Sequence, residues 1–367
     1  MKAGLVLTSI NDPICLDGYY ENFKKYGHLD DVEVFMIADK KTPGATFDRC
    51  LDLSMKGLNV RCVGILDQTF FLNVLGLKPS MFPMNSDNRR NIGYLMALAA
   101  HPDFIISIDD DNYCTQEHDY FANHALARGS SPECVSISGG WLNPCDWLST
   151  DVGVYQRGFP YYARAGVCAS KLETGNFKIH VNEGLWTRDP DLDAMTWLTN
   201  PAWSVGCPSS VVVAQDTWAP INSQNTAVRA EAMPAYYFLP MNSVMDRYGD
   251  IFQGYFLQKC MKHLGGHLRI GTPVVEHKRN SHNYFKDLKL ELPCIELLEK
   301  MLPWLVDECK ITGSDYCEAY ECLADEMKEW NLSSHHENFN FPIMVDEWVG
   351  NMKQWAKACR TIGVKAS

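Results

Sequence analysis

The sequence predicts an α/β fold, with a Rossmann-like, mostly parallel sheet followed by a helical C-terminal appendage. Two observations predict it. Over the first 110 residues, short apolar runs alternate with segments of helical periodicity, which is typical of a parallel sheet covered on both faces. After Leu292 the chain changes to amphipathic segments with long acidic faces. We therefore divide the chain into an α/β domain, residues 1–290, and a helical region, residues 291–367.

Each element is assigned from its hydrophobic pattern, in chain order. Continuous apolar runs predict strands at residues 4–10, 32–38, 60–65, 104–108 and 268–275. Apolar spacings of three and four predict a short helix ending at residue 26 and helices at residues 88–100, 251–264, 294–309, 315–330 and 343–361. His101-Pro102 and Gly265-Gly266 are stop signals for two of these helices. Between residues 134 and 250, an irregular stretch rich in Trp, Pro and Gly predicts short strands and long loops.

Composition excludes several classes of protein. With 46% hydrophobic and 21% charged residues, the chain is neither disordered nor supercharged. A formal net charge of −12 argues against nucleic acid as a partner, because such binders usually present a basic face. No apolar run approaches the about 18 residues that a membrane span needs, so we expect no membrane partner.

The cysteines and the N-terminal residues indicate in which cellular compartment the protein is expected. The fourteen cysteines are scattered singly with no Cys-x-x-Cys pair, which argues against a zinc site and for free thiols. The N-terminal apolar stretch is short and broken at Asn11, unlike a signal sequence. These observations predict a cytoplasmic location.

Polar side chains end three of the predicted strands. Thr8 and Ser9 end the first strand, Asp39 follows the second, and an aspartate triplet follows the fourth. Ligands of open α/β sheets bind beyond the carboxyl ends of the strands. The sequence therefore predicts the ligand site at this edge of the sheet.

The aspartate triplet consists of Asp109, Asp110 and Asp111. Three carboxylates directly after a buried strand repel one another and need a counter-charge. Mg²⁺ or Mn²⁺ suits this role, since such a cation takes one or two carboxylates and fills its shell with phosphate oxygens and water. His277 follows the last predicted strand, so the predicted metal ligands are Asp109, Asp111 and His277. The alternatives are a solvated acidic turn and a structural histidine.

Cationic residues form the second group of candidates. Arg157 and Arg164 lie among glycines and aromatic residues, which suits contact with phosphate or sugar and equally a surface loop with cation–π packing. Lys278 and Arg279, beside the histidine, could neutralise a diphosphate. Asp250 opens a predicted helix, either as its N-cap or as a carboxylate at the catalytic side of the sheet.

Taken together, these segments resemble the reversibly glycosylated polypeptide family, whose best-known members are plant UDP-arabinopyranose mutases. The resemblance runs in order from residue 5 to residue 288 and rests on six motifs. They are Arg90-x-x-Gly93-Tyr94; Ile108 with the aspartate triplet; Arg157-Gly158-Phe159-Pro160 with Arg164-x-Gly166-Val167; Gly184-Leu185-Trp186 with Pro190-Asp191-x-Asp193-Ala194; Arg247-Tyr248-x-Asp250; and His277.

The resemblance implies a glycosyltransferase-A fold, a UDP-sugar substrate, and Mn²⁺ or Mg²⁺ held with the diphosphate by the aspartate triplet. Arg164 takes the place of the arginine that becomes reversibly glycosylated, so the sugar would wait on or near it while its ring changes size. Arg157 and Asp250 complete the predicted catalytic set. The residues predicted to contact the nucleotide sugar are Thr8, Ser9, Asp39, Arg90 and Asp110.

The chain departs from the family pattern around the sugar and acceptor pocket. Gly249 replaces the first of two acids usual after Arg-Tyr, and Glu183 replaces a usual basic residue. Arg188 and Asp189 stand where apolar residues are usual, and Asn11 replaces an arginine. These changes bear on the identity of the sugar and of any acceptor.

Three functions are compatible with these residues. The first is a UDP-sugar mutase with arginine as a transient glycosyl carrier. The second is a glycosyltransferase that passes the sugar, for example arabinose or glucose, to an external acceptor, because the indoles of the Trp-rich middle stack on sugars and bases. The third is a non-catalytic partner subunit, against which the aspartate triplet and Arg164 argue. The expected partner is a nucleotide sugar, and a homo-oligomer is a possible assembly.

Overall fold

The computed structural model describes residues 1–125, 130–137, 140–164, 170–334 and 340–363. The strands of this part of the chain form one sheet in the order β3-β2-β1-β4-β9-β7-β6-β8-β10-β5. Their bounds are β1 Ala3–Ser9, β2 Val32–Ala38, β3 Asn59–Val63, β4 Phe104–Ile108, β5 Asn112–Cys114, β6 Ser130–Ile137, β7 Ser170–Arg188, β8 Val211–Val213, β9 Asn225–Arg229 and β10 His267–His277.

The first four strands in the sheet order form its parallel part. Strand β1 pairs in parallel with β2 and β4, and β2 pairs in parallel with β3. Strand β9 then lies antiparallel to β4, and the remaining strands mix both directions. The predicted α/β fold is confirmed, with the parallel part extended by a mixed half that the sequence pattern did not reveal.

Helices cover the sheet and form the C-terminal region. Their bounds are α1 Cys15–Tyr26, α2 Gly44–Met55, α3 Ile65–Val74, α4 Arg90–Ala99, α5 Tyr120–His124, α6 Ala194–Thr199, α7 Gly249–His263, α8 Tyr284–Pro303, α9 Tyr316–Ser333 and α10 Asn340–Ile362. Glycine lets α4 approach the sheet, since a Cβ at Gly93 would lie 2.5 Å from a side-chain carbon of Val6. This contact holds α4 directly over the strands that carry the site.

The C-terminal helices share one hydrophobic cluster with the sheet and its helices. Trp348 and Trp355 of α10 are fully buried, and their indole N–H groups donate to the carbonyls of Pro240 (2.9 Å) and Met233 (3.2 Å). The predicted boundary at residue 290 falls inside α8. The division into two domains stays a prediction.

The irregular middle of the chain contains strand β7, which the hydrophobic pattern did not predict. Strand β7 is 19 residues long, and its first half is almost wholly exposed. A strand exposed on both faces has no apolar alternation, so period-two analysis cannot detect it. The buried second half, which ends at Arg188, pairs with β10 and brings the middle of the chain to the site.

Two predictions concern the surface and the thiols. None of the described helices is long and apolar enough to span a membrane. The twelve cysteines whose side chains the structure describes are free, and most of them are buried, which agrees with the predicted free thiols. The cytoplasmic location stays a prediction.

Candidate active site

A cleft of about 870 Å³ opens at the carboxyl ends of β1, β2 and β4. Its size suits a nucleotide-sugar-sized ligand, since small-molecule sites commonly enclose ~300–1,000 Å³. The sequence-predicted site residues that line it are Thr8, Ser9, Asp39, Arg90, Asp109, Asp110, Asp111, Arg157, Asp250 and His277. The remaining one, Arg164, does not line the cleft.

The strand ends of β1 and β2 build one wall. The Thr8 hydroxyl donates to the carbonyl of Ile37 (2.8 Å), and the Ser9 hydroxyl donates to Asp110. Asp39 is buried and accepts the backbone N–H of Ser86 (3.2 Å). These bonds fix three side chains predicted to contact the nucleotide, and that role stays a prediction.

Asp111 and His277 face each other across the cleft floor, with 3.6 Å between Asp111 Oδ2 and His277 Nε2. The pairing of β5 with β10 brings them together, because it sets His277 opposite Asn112. Burial opposes the charged form of each, but their mutual interaction raises the pKa of His277 and lowers that of Asp111. His277 Nδ1 donates to the carbonyl of Asp189 (2.5 Å), which turns Nε2 toward Asp111.

This pair fits a divalent metal that the protein holds through few ligands. A carboxylate oxygen and an imidazole Nε2, oriented by a carbonyl on Nδ1, are the ligand types and the outer-shell support that such metals use. No group of three or more His, Cys, Asp or Glu side chains arranged to hold a metal occurs within the residues that the structure describes. Phosphate oxygens and water would therefore complete the shell.

Asp109 faces a different partner. Its Oδ1 accepts a hydrogen bond from Arg90 Nη2 (2.5 Å), and Arg90 Nη1 also donates to Ser107 and to Ser223. Burial raises the pKa of Asp109 although Arg90 opposes the rise. The structure thus joins Asp109 to Arg90 rather than to Asp111 and His277, and its role as a metal ligand stays a prediction.

Arg157 forms the second charged centre of the cleft. Its Nε and Nη2 donate to Asp191 (2.9 and 3.1 Å), and its Nη1 and Nη2 donate to Asp250 (2.9 and 2.8 Å). Burial disfavours the guanidinium charge, but the two carboxylates outweigh it and raise the pKa of Arg157 well above its usual range. Helix α7 begins at Gly249, so Asp250 lies in its first turn and is not its N-cap.

Arg164 lies in an aromatic cluster outside the cleft lining. Its guanidinium carbon is 3.6 Å from the ring centre of Tyr161 and 4.8 Å from that of Tyr155. Its Nη2 donates to the fully buried Asp193 (3.3 Å). This cation–π packing is the alternative interpretation of the segment, and it is what the structure shows for Arg164. The family motif positions Gly166 and Val167 lie outside the described residues.

Lys278 and Arg279, the two cations beside His277, differ in whether they can bind a ligand in the cleft. Lys278 is 42% exposed, pairs with Glu276 (2.9 Å) and does not line the cleft. Arg279 lines the cleft and packs on Trp197, with no carboxylate at ion-pair distance within the described part of the chain. Burial lowers the pKa of Arg279. Of these two cations, Arg279 is therefore the one whose side-chain donors are left by the described residues for an anionic ligand.

Sequence reasoning did not assign two further residues of this site. Asp191 holds Arg157, and Arg247 lines the cleft while its carbonyl accepts a hydrogen bond from Arg157. Both lie in segments that carry the family resemblance. That membership was the available signal, because the burial of Arg157, which requires carboxylate partners, is visible only in the structure.

Two departures from the family pattern have structural reasons. Gly249 faces a wall of backbone and ring, since a Cβ there would lie 2.5 Å from the Leu239 carbonyl oxygen and 2.7 Å from the Phe238 ring. Glu183 is fully buried and accepts hydrogen bonds from Gln156 (2.9 Å) and from the backbone N–H of Asn222 (3.2 Å). Burial raises the pKa of Glu183 to about 8.

The fold and the cleft define an α/β protein with a polar, highly charged ligand site at the carboxyl ends of parallel strands. A family model for the reversibly glycosylated polypeptides matches residues 63–363. The chain belongs to the reversibly glycosylated polypeptide family. The α/β sheet with its cleft at the strand ends agrees with the glycosyltransferase-A type expected for that family.

Named relatives come from plants. UDP-arabinopyranose mutase 1 of Arabidopsis thaliana is 26% identical over 236 residues, which cover 63% of this chain and 62% of the relative. UDP-arabinopyranose mutase 2 of the same plant is 26% identical over 281 residues, covering 70% of this chain and 74% of the relative. The aligned region thus spans less than two thirds of the first relative's length.

Solved structures show only a distant similarity. The mannosyltransferase PcManGT from Pyrobaculum calidifontis, in complex with GDP-Man and Mn²⁺, has a TM-score of 0.38 and 10% identity, covering 98% of this chain and 86% of that one. S. aureus TarS in complex with UDP-GlcNAc has a TM-score of 0.38 and 12% identity, covering 96% and 72%. Similarity at this level supports no conclusion about function.

Proposed function

We propose that this protein is a metal-dependent UDP-sugar enzyme, and specifically a UDP-sugar mutase of the UDP-arabinopyranose type. The observation that carries the proposal is one cleft that combines the Asp111–His277 pair with the Arg157–Asp250 pair. Membership of the reversibly glycosylated polypeptide family and the names of the plant relatives support it.

The two pairs have different tasks in this proposal. Asp111 and His277 would hold Mn²⁺ or Mg²⁺, which supplies positive charge to the departing diphosphate. Arg279 adds donors for a phosphate oxygen. Asp250, fixed by Arg157, stabilises positive charge at the anomeric carbon or acts as a general base.

A panel of UDP-sugars incubated with the protein and Mn²⁺, with products resolved by chromatography, tests the proposal. A mutase interconverts the pyranose and furanose forms of one UDP-sugar without an acceptor. Chelation of the metal is expected to stop the reaction. An absence of both conversion and UDP binding would contradict the proposal and support a non-catalytic partner subunit.

For the mutase we propose an arginine as the transient glycosyl carrier, first of all Arg164. The bond from the anomeric carbon to the phosphate oxygen breaks and its electron pair leaves with UDP. A bond from a guanidinium nitrogen to that carbon forms, and the nitrogen's proton passes to Asp193 (3.3 Å). Arg157 is a second candidate because it lines the cleft, with Asp250 as its proton acceptor.

Radiolabelled UDP-sugar separates the two carrier candidates. A carrier gains label that excess UDP removes, and replacement of the carrier by lysine abolishes the label. We expect Arg164→Lys to gain no label. Label retained in Arg164→Lys and lost in Arg157→Lys would transfer the role to Arg157. No sugar adduct on the wild-type protein during turnover, by intact-protein mass spectrometry, would exclude both.

A second candidate function is sugar transfer to an external acceptor. It is favoured by the protonation of Arg157 and by the position of Arg164. Arg157 is held by two carboxylates that raise its pKa, and a protonated guanidinium is a poor nucleophile. Arg164 lies outside the cleft lining and packs on aromatic rings. A transferase needs neither as a nucleophile. It is recognised by sugar transfer that depends on an added acceptor.

A further inference from the structure

Three carboxylates of helix α8 contact four segments of the chain around the cleft. Asp287 binds His282 Nδ1 (2.9 Å), and Glu299 accepts the backbone N–H groups of Tyr161 (2.7 Å) and Tyr162 (3.0 Å). Glu291, between them on the helix, binds both the segment before α7 and the start of α6. Of the residues bound, His282 and Arg247 line the cleft, so this acidic face supports the site in part and bonds to protein rather than to solvent.

Glu291 is the most enclosed of the three. It is fully buried, its Oε1 accepts from Arg247 Nε (3.0 Å), and its Oε2 accepts the backbone N–H of Ala194 (2.7 Å). Both oxygens are thus bound by different segments of the chain. A carboxylate buried in this way is maintained only by such partners.

Arg247 needs support from outside its own segment. Its φ is +70°, a left-handed conformation that is uncommon for a residue with a side chain and persists where the surroundings over-determine it. The ion pair with Glu291 and the backbone hydrogen bond from Asp246 N–H to the Leu290 carbonyl (3.2 Å) both come from α8. Helix α8 therefore supplies the constraint on this strained residue.

The strained residue is connected directly to the charged centre of the cleft. The carbonyl of Arg247 accepts a hydrogen bond from Arg157 Nη1, the same nitrogen that donates to Asp250 (2.9 Å). On the other side, Ala194 follows Asp193, which binds Arg164 (3.3 Å). Glu291 thus bonds directly to Arg247, whose carbonyl contacts Arg157, and to Ala194, whose neighbour Asp193 contacts Arg164.

We infer that Glu291 is a positioning residue, which holds Arg247 in its left-handed conformation and thereby orients the Arg157–Asp250 pair. The effect on catalysis rests on the proposed function, whereas the effect on the backbone does not. Without the Glu291 carboxylate, Arg247 loses its shorter ion pair and keeps the longer one to Asp287 (4.0 Å), so it leaves the left-handed conformation more readily. Its carbonyl then turns away from Arg157, and Asp250 is held less firmly.

The test compares Glu291→Gln with Glu296→Gln, an exposed position on the same helix. A glutamine amide cannot accept from both Arg247 and Ala194 through two oxygens, so one contact is lost in either orientation. Hydrogen exchange is expected to become about tenfold faster at residues 246–250 in Glu291→Gln and to stay unchanged in Glu296→Gln. With an active UDP-sugar substrate, kcat is expected to fall about tenfold while KM and UDP affinity change less than about twofold.

Each outcome decides one claim. Unchanged exchange at residues 246–250 overturns the positioning of Arg247, whether or not the protein is active. Faster exchange with unchanged kcat overturns the link to the site and leaves the proposed function intact. An inactive wild-type protein counts against the proposed function, and the exchange data still decide the positioning. If Glu291→Gln does not fold, Arg247→Met removes the same ion pair and keeps a side chain that disfavours positive φ, and unchanged exchange at residues 246–250 there overturns the positioning of Arg247.

Discussion

In the wall of the cleft, Arg157 donates two hydrogen bonds to Asp250, with nitrogen–oxygen distances of 2.9 and 2.8 Å. This two-point geometry fixes the plane of the carboxylate as well as its charge. Asp250 is thereby presented at the cleft as an oriented anion. A carboxylate held in this way suits a role in the reaction more than a role in nucleotide binding.

Replacement of Asp250 tests that assignment. Asp250→Asn keeps an oxygen for Arg157 but removes the charge, so we expect kcat to fall by about 100-fold, within the usual range for general acid–base groups. UDP affinity is expected to change less than about twofold. Steady-state kinetics with calorimetry of UDP binding measures both. Arg90→Ala is expected to show the opposite pattern, with weaker donor binding, and an equal loss of UDP affinity in both variants would refute the division of roles.

The Asp111–His277 pair predicts the metal dependence of nucleotide binding. Asp111→Ala removes one of the two proposed metal ligands, so we expect Mn²⁺-dependent UDP affinity to fall by more than about tenfold. The fold is expected to survive, as judged by circular dichroism. Glu276→Gln, next to His277 and bound to Lys278, is the matched control and is expected to bind normally. Unchanged affinity in Asp111→Ala would rule out the metal assignment.

The two cations after His277 are predicted to differ in effect. Arg279→Ala removes a cleft guanidinium that has no carboxylate partner among the described residues. It is expected to weaken UDP binding by about 10- to 100-fold, the equivalent of ~1.5–3 kcal/mol for a charge-assisted hydrogen bond. Lys278→Ala removes a cation already bound to Glu276 and is expected to change the affinity less than about twofold. Calorimetry at low and moderate salt measures both. Equal losses would mean that general charge, rather than a specific contact, binds the diphosphate.

Glu183 predicts a pH dependence of stability. Its pKa is raised to about 8 by burial, so between about pH 4.5 and 8 the folded protein keeps a proton that the unfolded chain has released. Stability should then fall with rising pH in this window, by up to ~1.4 kcal/mol per pH unit. Glu183→Gln removes that slope, which denaturant unfolding at several pH values measures. A slope equal to that of the wild-type protein would show that Glu183 is ionised in the folded state.

The close packing around Gly249 predicts that a side chain at this position lowers the stability of the protein. A Cβ there would lie 2.5 Å from the Leu239 carbonyl oxygen, so Gly249→Ala is expected to lower the free energy of unfolding by about 1–3 kcal/mol. Gly350 in α10 has open space around its Cβ position, and Gly350→Ala is expected to be neutral or to stabilise by up to ~1 kcal/mol. Urea denaturation of both variants makes the comparison. A Gly249→Ala variant as stable as wild type would show that Phe238 and Leu239 can move aside.

The sequence by itself determined the parallel half of the sheet and the location of the candidate site. Strands β2 and β4 match the predicted residues 32–38 and 104–108, because buried strands of a parallel sheet are continuous apolar runs with sharp polar ends. The same polar ends identify Asp39 and the aspartate triplet, since carboxyl ends of parallel strands meet at one edge. The end of the last predicted strand indicated His277, and the family resemblance added a catalytic role for Arg157 and Asp250.

The tertiary structure alone decided which charged groups pair. Asp109 and Asp111 are two residues apart, yet one faces Arg90 and the other His277. Arg157 and Arg164 share one segment, yet only Arg157 lines the cleft. Successive side chains point in different directions, and their partners come from α4, β10, α7 and the loop before α6. Residue type and spacing fix the available charges, but long-range packing fixes their partners.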